Sequence, residues 1–235
     1  MLEPAKAVII TSFANNLNTA LSCISSAKIG NAPVICFTPL KDTDYLAPLM
    51  KGNVHPAFFH GYVTAHKNII SLSGRNTDIV LCPSEEKIID QSAADILAST
   101  KVQIRTDDNH LYAFWEYFAP YALCSILSAA EDCKISDILK DKSQREMLQA
   151  LADEFTIMAA AEGVDFEEKT VMLAVADTPA NYVYPLHQSL SNGGRDEFDL
   201  ITSVVVDAML KSNKNLPLTQ ALLKKLYNSV LNKTL

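Results

Sequence analysis

The spacing of apolar residues changes character near residue 106. Before it, short β-branched runs such as Lys6–Thr11 and Pro33–Thr38 flank a segment, Asn15–Ser26, with apolar residues at helical spacing. Such runs are typical of buried parallel strands, and a strand–helix–strand order predicts a right-handed crossover. We therefore predict an α/β domain over residues 1–106.

The rest of this domain carries weaker signals of the same kind. We predict a short helix, three strands, a helix with Ser84 as its N-cap and a final strand. In chain order these are Thr43–Met50, His55–His60, Asn68–Ser73, Asp78–Cys82, the helix from Ser84, and Val102–Arg105.

Residues 107–235 have a helical period almost throughout, which predicts an all-α second domain. One helix is expected from about Ser143 to Glu162, ended by Gly163, and others over Phe166–Asp177, after Gly193-Gly194, and from Pro217. Three of these helices carry an apolar stripe that is predicted to be buried. The stripes are Leu148, Leu151, Phe155 and Met158 on the first helix, Phe198, Ile201, Val205 and Met209 on the helix after Gly193-Gly194, and Leu222, Leu226 and Val230 on the helix from Pro217.

Composition narrows the class of protein. The 235 residues are 49% hydrophobic with a net charge of -7 and no block of like charges, which disfavours a nucleic-acid partner. No apolar run approaches the roughly 20 residues of a membrane helix, so no membrane partner is expected. Five scattered cysteines without a CxxC pair indicate reduced thiols in a cytoplasmic protein.

The order of local motifs resembles one family. Tyr112–Ala129, the helix end Ala161-Glu162-Gly163-Val164 and the helix Arg195–Ala208 followed by Leu216-Pro217 are similar, in order and spacing, to the second domain of ketopantoate reductases. Glu3–Leu49 resembles the second half of that family's nucleotide-binding domain. The resemblance implies a partial Rossmann-like α/β domain followed by a helical domain of the 6-phosphogluconate dehydrogenase type.

The family's cofactor, NADP(H), lacks its usual sequence support. A Rossmann pyrophosphate site needs G-x-G-x-x-G after the first strand, and the sequence contains no such motif. Alignment of this chain with the family's nucleotide-binding domain implies that the first ~60–70 residues of the usual fold are not present. That length corresponds to one mononucleotide-binding half. Lys6–Thr11 would then be an open edge strand, which favours a partner that covers it or a homo-oligomer such as a dimer.

The resemblance also assigns candidate site residues, most of them changed in type. Tyr117 stands at the position of the lysine that serves the family as general acid, and a neutral phenol stabilises an oxyanion less well than a cation. Tyr121 and Ser125 stand where the family has two substrate-binding asparagines. Phe13 replaces a lysine, Pro39-Leu40 an Asn-Gly, and Pro185 a substrate-contacting serine. The family's glutamate is kept as Glu197.

Two of these features have simpler interpretations. Glu197 is either a ligand for a substrate hydroxyl or an exposed first-turn glutamate that stabilises a helix N-terminus beside Asp196. The aromatic cluster around Trp115 is either core and interdomain packing or a cleft for an apolar or aromatic small molecule; its members are Tyr112, Phe114, Trp115, Tyr117, Phe118 and Tyr121. Pro120 predicts a kink in this helix, or a helix start beyond it.

Other chemistries find little support. The five histidines show no metal-ligand spacing, so no metal is predicted, and Ser71-x-Ser73-Gly74 is not an esterase elbow. Three functions remain: a diverged binding or assembly protein that has lost the family's catalysis, an active NADPH-dependent ketopantoate reductase with a rearranged site, and a helical dimerisation module.

Overall fold

The structure, a computed structural model, describes residues 5–11, 17–26, 32–38, 41, 54–83, 89–100 and 102–234. In chain order its strands are β1 Val8–Ile10, β2 Val34–Cys36, β3 Val54–His66, β4 Ile69–Leu81 and β5 Gln103–Thr106. Its helices are α1 Leu17–Ser26, α2 Gln91–Ala98, α3 His110–Glu131, α4 Ile135–Ile138, α5 Lys142–Ala160, α6 Glu168–Ala176, α7 Pro185–Ser191, α8 Asp196–Ser212 and α9 Pro217–Thr234.

The strands form one sheet in the order β1-β2-β3-β4-β5. β1 pairs in parallel with β2, β2 with β3, and β4 with β5, while β3 and β4 form a hairpin around Lys67 and Asn68. Side chains on opposite faces of β2 enter different clusters: Val34 packs with Leu17 of α1, and Ile35 packs with Leu97 of α2. Burial on both faces explains why β2 is continuously apolar. The predicted parallel pair of β1 and β2 is confirmed.

β1 is the terminal strand of the described sheet. Its central residue, Ile9, is 49% exposed, whereas Ile10 beside it is buried. The prediction that Lys6–Thr11 contains an edge strand is therefore confirmed for Val8–Ile10.

The helical part is organised around α5, which packs against α4, α6, α8 and α9. The predicted α5 stripe is fully buried, at 0% exposure for Leu148, Leu151, Phe155 and Met158. Asp141 caps the helix by accepting a bond of 2.8 Å from the Gln144 backbone, and Gly163 follows its end at φ +83°. The α8 and α9 stripes are likewise buried, except that Met209 is only half-buried and Ala208 takes the inner position.

Several predicted elements need correction. Asn68–Ser73 and Asp78–Cys82 belong to one strand, β4, because Gly74 at φ 122° lets the strand continue where a break was expected. α3 starts at His110 and runs through Pro120, so the displaced start is wrong. The short helices α4 and α7 were not predicted. Thr43–Met50 and Ser84 lie outside the described residues, and the described helix α2 is capped by Asp90.

The chain forms two compact units. One comprises residues 1–61 and 76–117, and the other residues 62–75 and 118–235. The second unit thus includes the tip of the β3–β4 hairpin as well as the helices. The sequence-based division at residue 106 stays a prediction. None of the helices that the structure describes has the length and apolar character needed to cross a membrane.

Candidate functional site

α3 carries three of the predicted site residues at intervals of four: Tyr117, Tyr121 and Ser125. This spacing places them along one side of the helix. Asn109 begins the helix by accepting a bond of 3.0 Å from the Tyr112 backbone. The division between the compact units falls after Tyr117, so the surroundings of Tyr117 and of Tyr121 are described separately.

In the first unit, Tyr117 is half-buried between aromatic rings. Its ring centroid lies 5.9 Å from that of Phe58 and 6.2 Å from that of His60, and the His60 ring is stacked at an interplanar angle of 13°. The neighbouring Phe114 and Trp115 are fully buried, as the packing interpretation of the aromatic cluster predicts.

A charged network adjoins this stack and was missed from the sequence. The Arg105 Nε donates to Asp78 Oδ2 at 2.7 Å and its Nη2 to Glu116, while His60 Nδ1 lies 3.1 Å from Asp78 Oδ1. Burial would raise the pKa of Asp78, but the hydrogen bonds and charges of His60 and Arg105 outweigh it and lower that pKa. No local pattern in the sequence marks this network, because its residues lie on three strands and on α3.

In the second unit, the structure brings together two predicted site residues. The Tyr121 hydroxyl donates a hydrogen bond to Glu197 Oε1, across 76 positions of sequence. Glu197 is only 7% exposed, whereas Asp196 and Asp199 beside it are exposed. The interpretation of Glu197 as an exposed first-turn residue is therefore wrong. Burial raises the pKa of Glu197, the Tyr121 bond lowers it, and the charge of Asp196 raises it further.

Ser125 lies one turn beyond Tyr121 and is fully buried. Its Oγ has no hydrogen-bond partner among the described residues. A buried hydroxyl without a partner is uncommon, because removing it from water without compensation is unfavourable. Pro185, at the family's serine position, is the first residue of α7 and has no hydroxyl or backbone N–H to offer.

Further tyrosines that the sequence reading left out surround this pair. Tyr182 packs edge-on against Tyr62 at 4.8 Å and against Tyr184 at 5.0 Å between centroids, and Tyr184 lies 6.2 Å from Tyr121. The Tyr62 and Tyr184 hydroxyls each lie 3.0 Å from Thr178 Oγ1. We call Tyr62, Tyr121, Tyr182 and Tyr184 the tyrosine cluster. The connection between α6 and α7 supplies Tyr182 and Tyr184.

The Tyr62 side of the cluster is fixed by the hairpin tip. Both carboxylate oxygens of Asp177 accept hydrogen bonds from the Arg75 backbone N–H, at 3.0 and 2.9 Å, and Tyr62 donates to the Ala174 carbonyl at 3.1 Å. Burial raises the pKa of Tyr62, and it raises the pKa of Tyr184 well above its usual 10. These hydroxyls therefore act as neutral hydrogen-bonding groups near neutral pH.

The ionisation of Glu197 has a consequence for stability. Because its pKa is raised in the folded chain, its contribution to stability is full below the ordinary value of 4.5 and is lost as pH rises through the folded value. Glu197→Gln is therefore expected to raise the melting temperature at neutral pH but not below pH 4.5. Calorimetry tests this, with Asp199→Asn on the exposed side of α8 as the charge-matched control. A variant that melts lower than the wild type at neutral pH would contradict it.

The described residues contain no group of histidine, cysteine, aspartate or glutamate side chains that could hold a metal ion. The structure, which describes all five cysteines, joins none of them in a disulfide. The pyrophosphate of a dinucleotide needs a glycine-rich turn after a strand, and this sequence contains no such motif.

The fold has many solved counterparts. A D-mandelate dehydrogenase solved with NADH shares it at a TM-score of 0.78 and 16% identity, covering 99% of this chain and 81% of that one. The 2-dehydropantoate 2-reductase of Geobacter metallireducens gives 0.80 and 16%, covering 96% and 78%, and the dimeric ketopantoate reductase of Staphylococcus aureus gives 0.79 and 14%, covering 97% and 79%. The class is thus a Rossmann-like α/β domain followed by a helical domain, as predicted.

The family follows from the sequence of the helical part. The family model of the ketopantoate reductase PanE/ApbA C terminal matches residues 109–228, slightly more than half of the chain. The chain belongs to the ketopantoate reductase family. The 2-dehydropantoate 2-reductase of Streptococcus pyogenes serotype M1 is 28% identical over 116 residues, 48% of this chain and 38% of that protein. The alignment therefore spans well under half the length of that curated relative.

Proposed function

We propose that this member of the family binds a small molecule at Glu197 and the tyrosine cluster and does not reduce ketopantoate. The pairing of Glu197 with Tyr121 supports the proposal most directly. A first-turn glutamate that served only the helix dipole would gain as much at the surface, yet Glu197 is 7% exposed and hydrogen-bonded within the unit. Ser125, one turn beyond Tyr121 on α3, adds a buried hydroxyl that has no hydrogen-bond partner among the described residues.

The loss of ketopantoate reduction is proposed from the residues on α3. The family lysine is replaced by Tyr117, a half-buried phenol that packs between Phe58 and His60. A neutral phenol with a pKa near 10 supplies less stabilisation to a developing alkoxide than an ammonium group does. With Tyr121 and Ser125 at the two asparagine positions, three family groups have changed chemical type on one helix.

The proposal predicts the outcome of a reductase assay. Purified protein with NADPH and ketopantoate is expected to show no NADPH oxidation above the rate without protein, followed by absorbance. NADPH fluorescence is expected to be unchanged by the protein at concentrations up to ~1 mM, a generous ceiling for a cofactor site. NADPH consumption that Tyr117→Phe abolishes would establish the alternative, an active reductase in which Tyr117 donates the proton.

The third candidate, a helical dimerisation module, is favoured by exposed apolar side chains. Leu210 of α8 is 76% exposed and Val206, one turn before it, is 40% exposed. We propose a homo-oligomer in a cytoplasmic setting, consistent with the described edge strand β1 and with five cysteines that form no disulfide. Sizing chromatography with light scattering tests assembly, and a monomer at high concentration would exclude the dimerisation function.

A further inference from the structure

The Glu197 carboxyl lies in an unusual electrostatic setting. It is 7% exposed, and no lysine or arginine of the described residues pairs with it. Its described hydrogen bond comes from a neutral phenol, Tyr121, and the charged neighbour that acts on it is a second carboxylate, Asp196. Buried carboxylates are normally compensated by a cation or by several donors. The described residues leave this one short of positive charge.

The N-terminus of α8 does not supply the positive charge that Glu197 lacks. The N-terminus of α8 carries a partial positive charge of about half a unit, which three acidic residues share: Asp196, Glu197 and Asp199. The only described basic side chain at this end, Arg195, is directed to Asp199 at 3.4 Å. The first turn of α8 therefore retains net negative charge, and its buried member is Glu197.

Two tyrosines of the cluster interact with this carboxylate. Tyr121 donates to it, and the pKa of Tyr182 is raised by burial, by Tyr62 and by the charge of Glu197, which places Tyr182 within electrostatic reach. Both tyrosines are half-buried, so each keeps part of its surface in contact with solvent. Ring faces attract cations through their quadrupole, and desolvation strengthens the attraction.

We propose that Glu197 and the tyrosine cluster bind a small organic cation, an ammonium group carried on an apolar or aromatic body. The carboxylate pairs with the ammonium, and Tyr121 and Tyr182 contact its flanks. An anion such as a 2-oxo acid is repelled by Glu197 and Asp196 together. The inference rests on the proposed ligand-binding function and specifies the charge of the ligand.

Three probes of nearly equal shape separate the possibilities: benzylammonium, benzyl alcohol and benzoate, titrated by calorimetry into the full chain at neutral pH. Benzylammonium is expected to bind about tenfold or more tightly than benzyl alcohol, the range of one charge pair with a cation–π contact. Benzoate is expected to show no binding. Equal affinities for the amine and the alcohol, or tighter binding of benzoate, would overturn the cation assignment.

Glu197→Gln is the diagnostic variant, because it keeps the shape of the side chain and removes its charge. It is expected to lower benzylammonium affinity about tenfold and to leave benzyl alcohol affinity within about threefold. Asp199→Asn, on the exposed side of the same helix turn, is expected to change neither. Loss of affinity in the control as large as in Glu197→Gln would indicate a general surface effect and refute the site.

A measurement on the unaltered protein keeps the test independent of the variants. The preference for benzylammonium over benzyl alcohol should fall away as pH drops through the raised pKa of Glu197, at a pH above its ordinary 4.5, where neither probe titrates. The groups acting on Glu197 there are Tyr121 of α3, Asp196 of α8 and Tyr182 before α7. A preference unchanged down to pH 4.5 overturns the role of Glu197.

Failure of this inference and failure of the proposed function give different results. Benzoate binding that Tyr121→Phe or Glu197→Gln weakens would retain a ligand site and reverse its charge preference. Absence of binding for all three probes would remove the cation assignment. Consumption of NADPH and ketopantoate would overturn the proposed function as well.

Discussion

Replacing Glu154 with alanine is expected to lower the free energy of unfolding by about 3 kcal/mol, from the loss of two hydrogen bonds to a charged acceptor. Glu154 lies on α5 at 9% exposure, and its two oxygens accept the backbone N–H groups of Leu218 at 3.0 Å and Thr219 at 2.7 Å. These are the second and third residues of α9, behind Pro217. A residue of one helix thus caps another, in place of a local N-cap.

The effect is large because the alanine variant leaves both donors without a partner in a buried place. Thr219 is fully buried, so water does not readily replace the carboxylate. Glu154→Gln keeps one good acceptor, so its free energy of unfolding should lie between those of Glu154→Ala and the wild type. Asp153→Ala, at the exposed neighbouring position, should stay within about 0.5 kcal/mol. Urea unfolding followed by circular dichroism measures these free energies of unfolding. An equal loss of stability in Asp153→Ala and Glu154→Ala would contradict the prediction.

Elements with strong periodicity could be predicted from the sequence. β1, β2, α5, α8 and α9 follow from apolar runs or stripes that only one arrangement buries. The failures come from residues whose local preference was overridden. Two strands were predicted where β4 is continuous, since the positive φ of Gly74 accommodates an irregularity within one strand. Pro120 suggested a kink or a later start, although a proline removes only one hydrogen bond of a long helix. α7 begins with a proline at its first position, and no helix was predicted there.

The burial of Glu197 could have been inferred more firmly than it was. Three acidic residues lie in the first turn of α8. Only Glu197 is spaced by four residues from Ile201 and by eight from Val205, so it continues the stripe predicted to be buried. Its partner Tyr121 was reached only through the family resemblance, because no local pattern connects positions 76 residues apart. The tyrosine cluster depends on the docking of the hairpin tip beside α6, which no single-sequence pattern specifies.

The Arg105 network and Glu197 differ in whether a cation compensates their carboxylates. The network of Asp78, Arg105 and Glu116 joins two carboxylates to one guanidinium, and His60 adjoins it. Such a set is compensated internally and is suited to holding β3, β4, β5 and α3 together. Glu197 has no such compensation among the described residues, and a protein keeps a destabilising buried carboxylate chiefly where function requires it.

The second large effect is expected at Arg105. Arg105→Met is expected to lower the free energy of unfolding at neutral pH by about 2–3 kcal/mol, discounted from the 3–5 of a fully buried pair because its side chain is 33% exposed. The methionine keeps the aliphatic volume but leaves Asp78 and Glu116 facing each other without their shared cation. Burial would lower the pKa of Arg105, yet the hydrogen bonds that it donates to Glu116 and Asp78 raise that pKa. The guanidinium therefore stays charged.

The pH dependence distinguishes this role from simple packing. Because the folded pKa of Asp78 is depressed, its contribution to stability is present above its ordinary 3.8 and is lost as pH falls through the folded value. In Arg105→Met that contribution shrinks, so the gap between variant and wild type should narrow toward acid pH. Arg105→Lys, which keeps the charge but lacks the fork, should be intermediate. Arg195→Met, at an exposed pair, should have little effect at either pH. A gap of equal size at neutral and acid pH would assign the loss to packing of the side chain rather than to its charge.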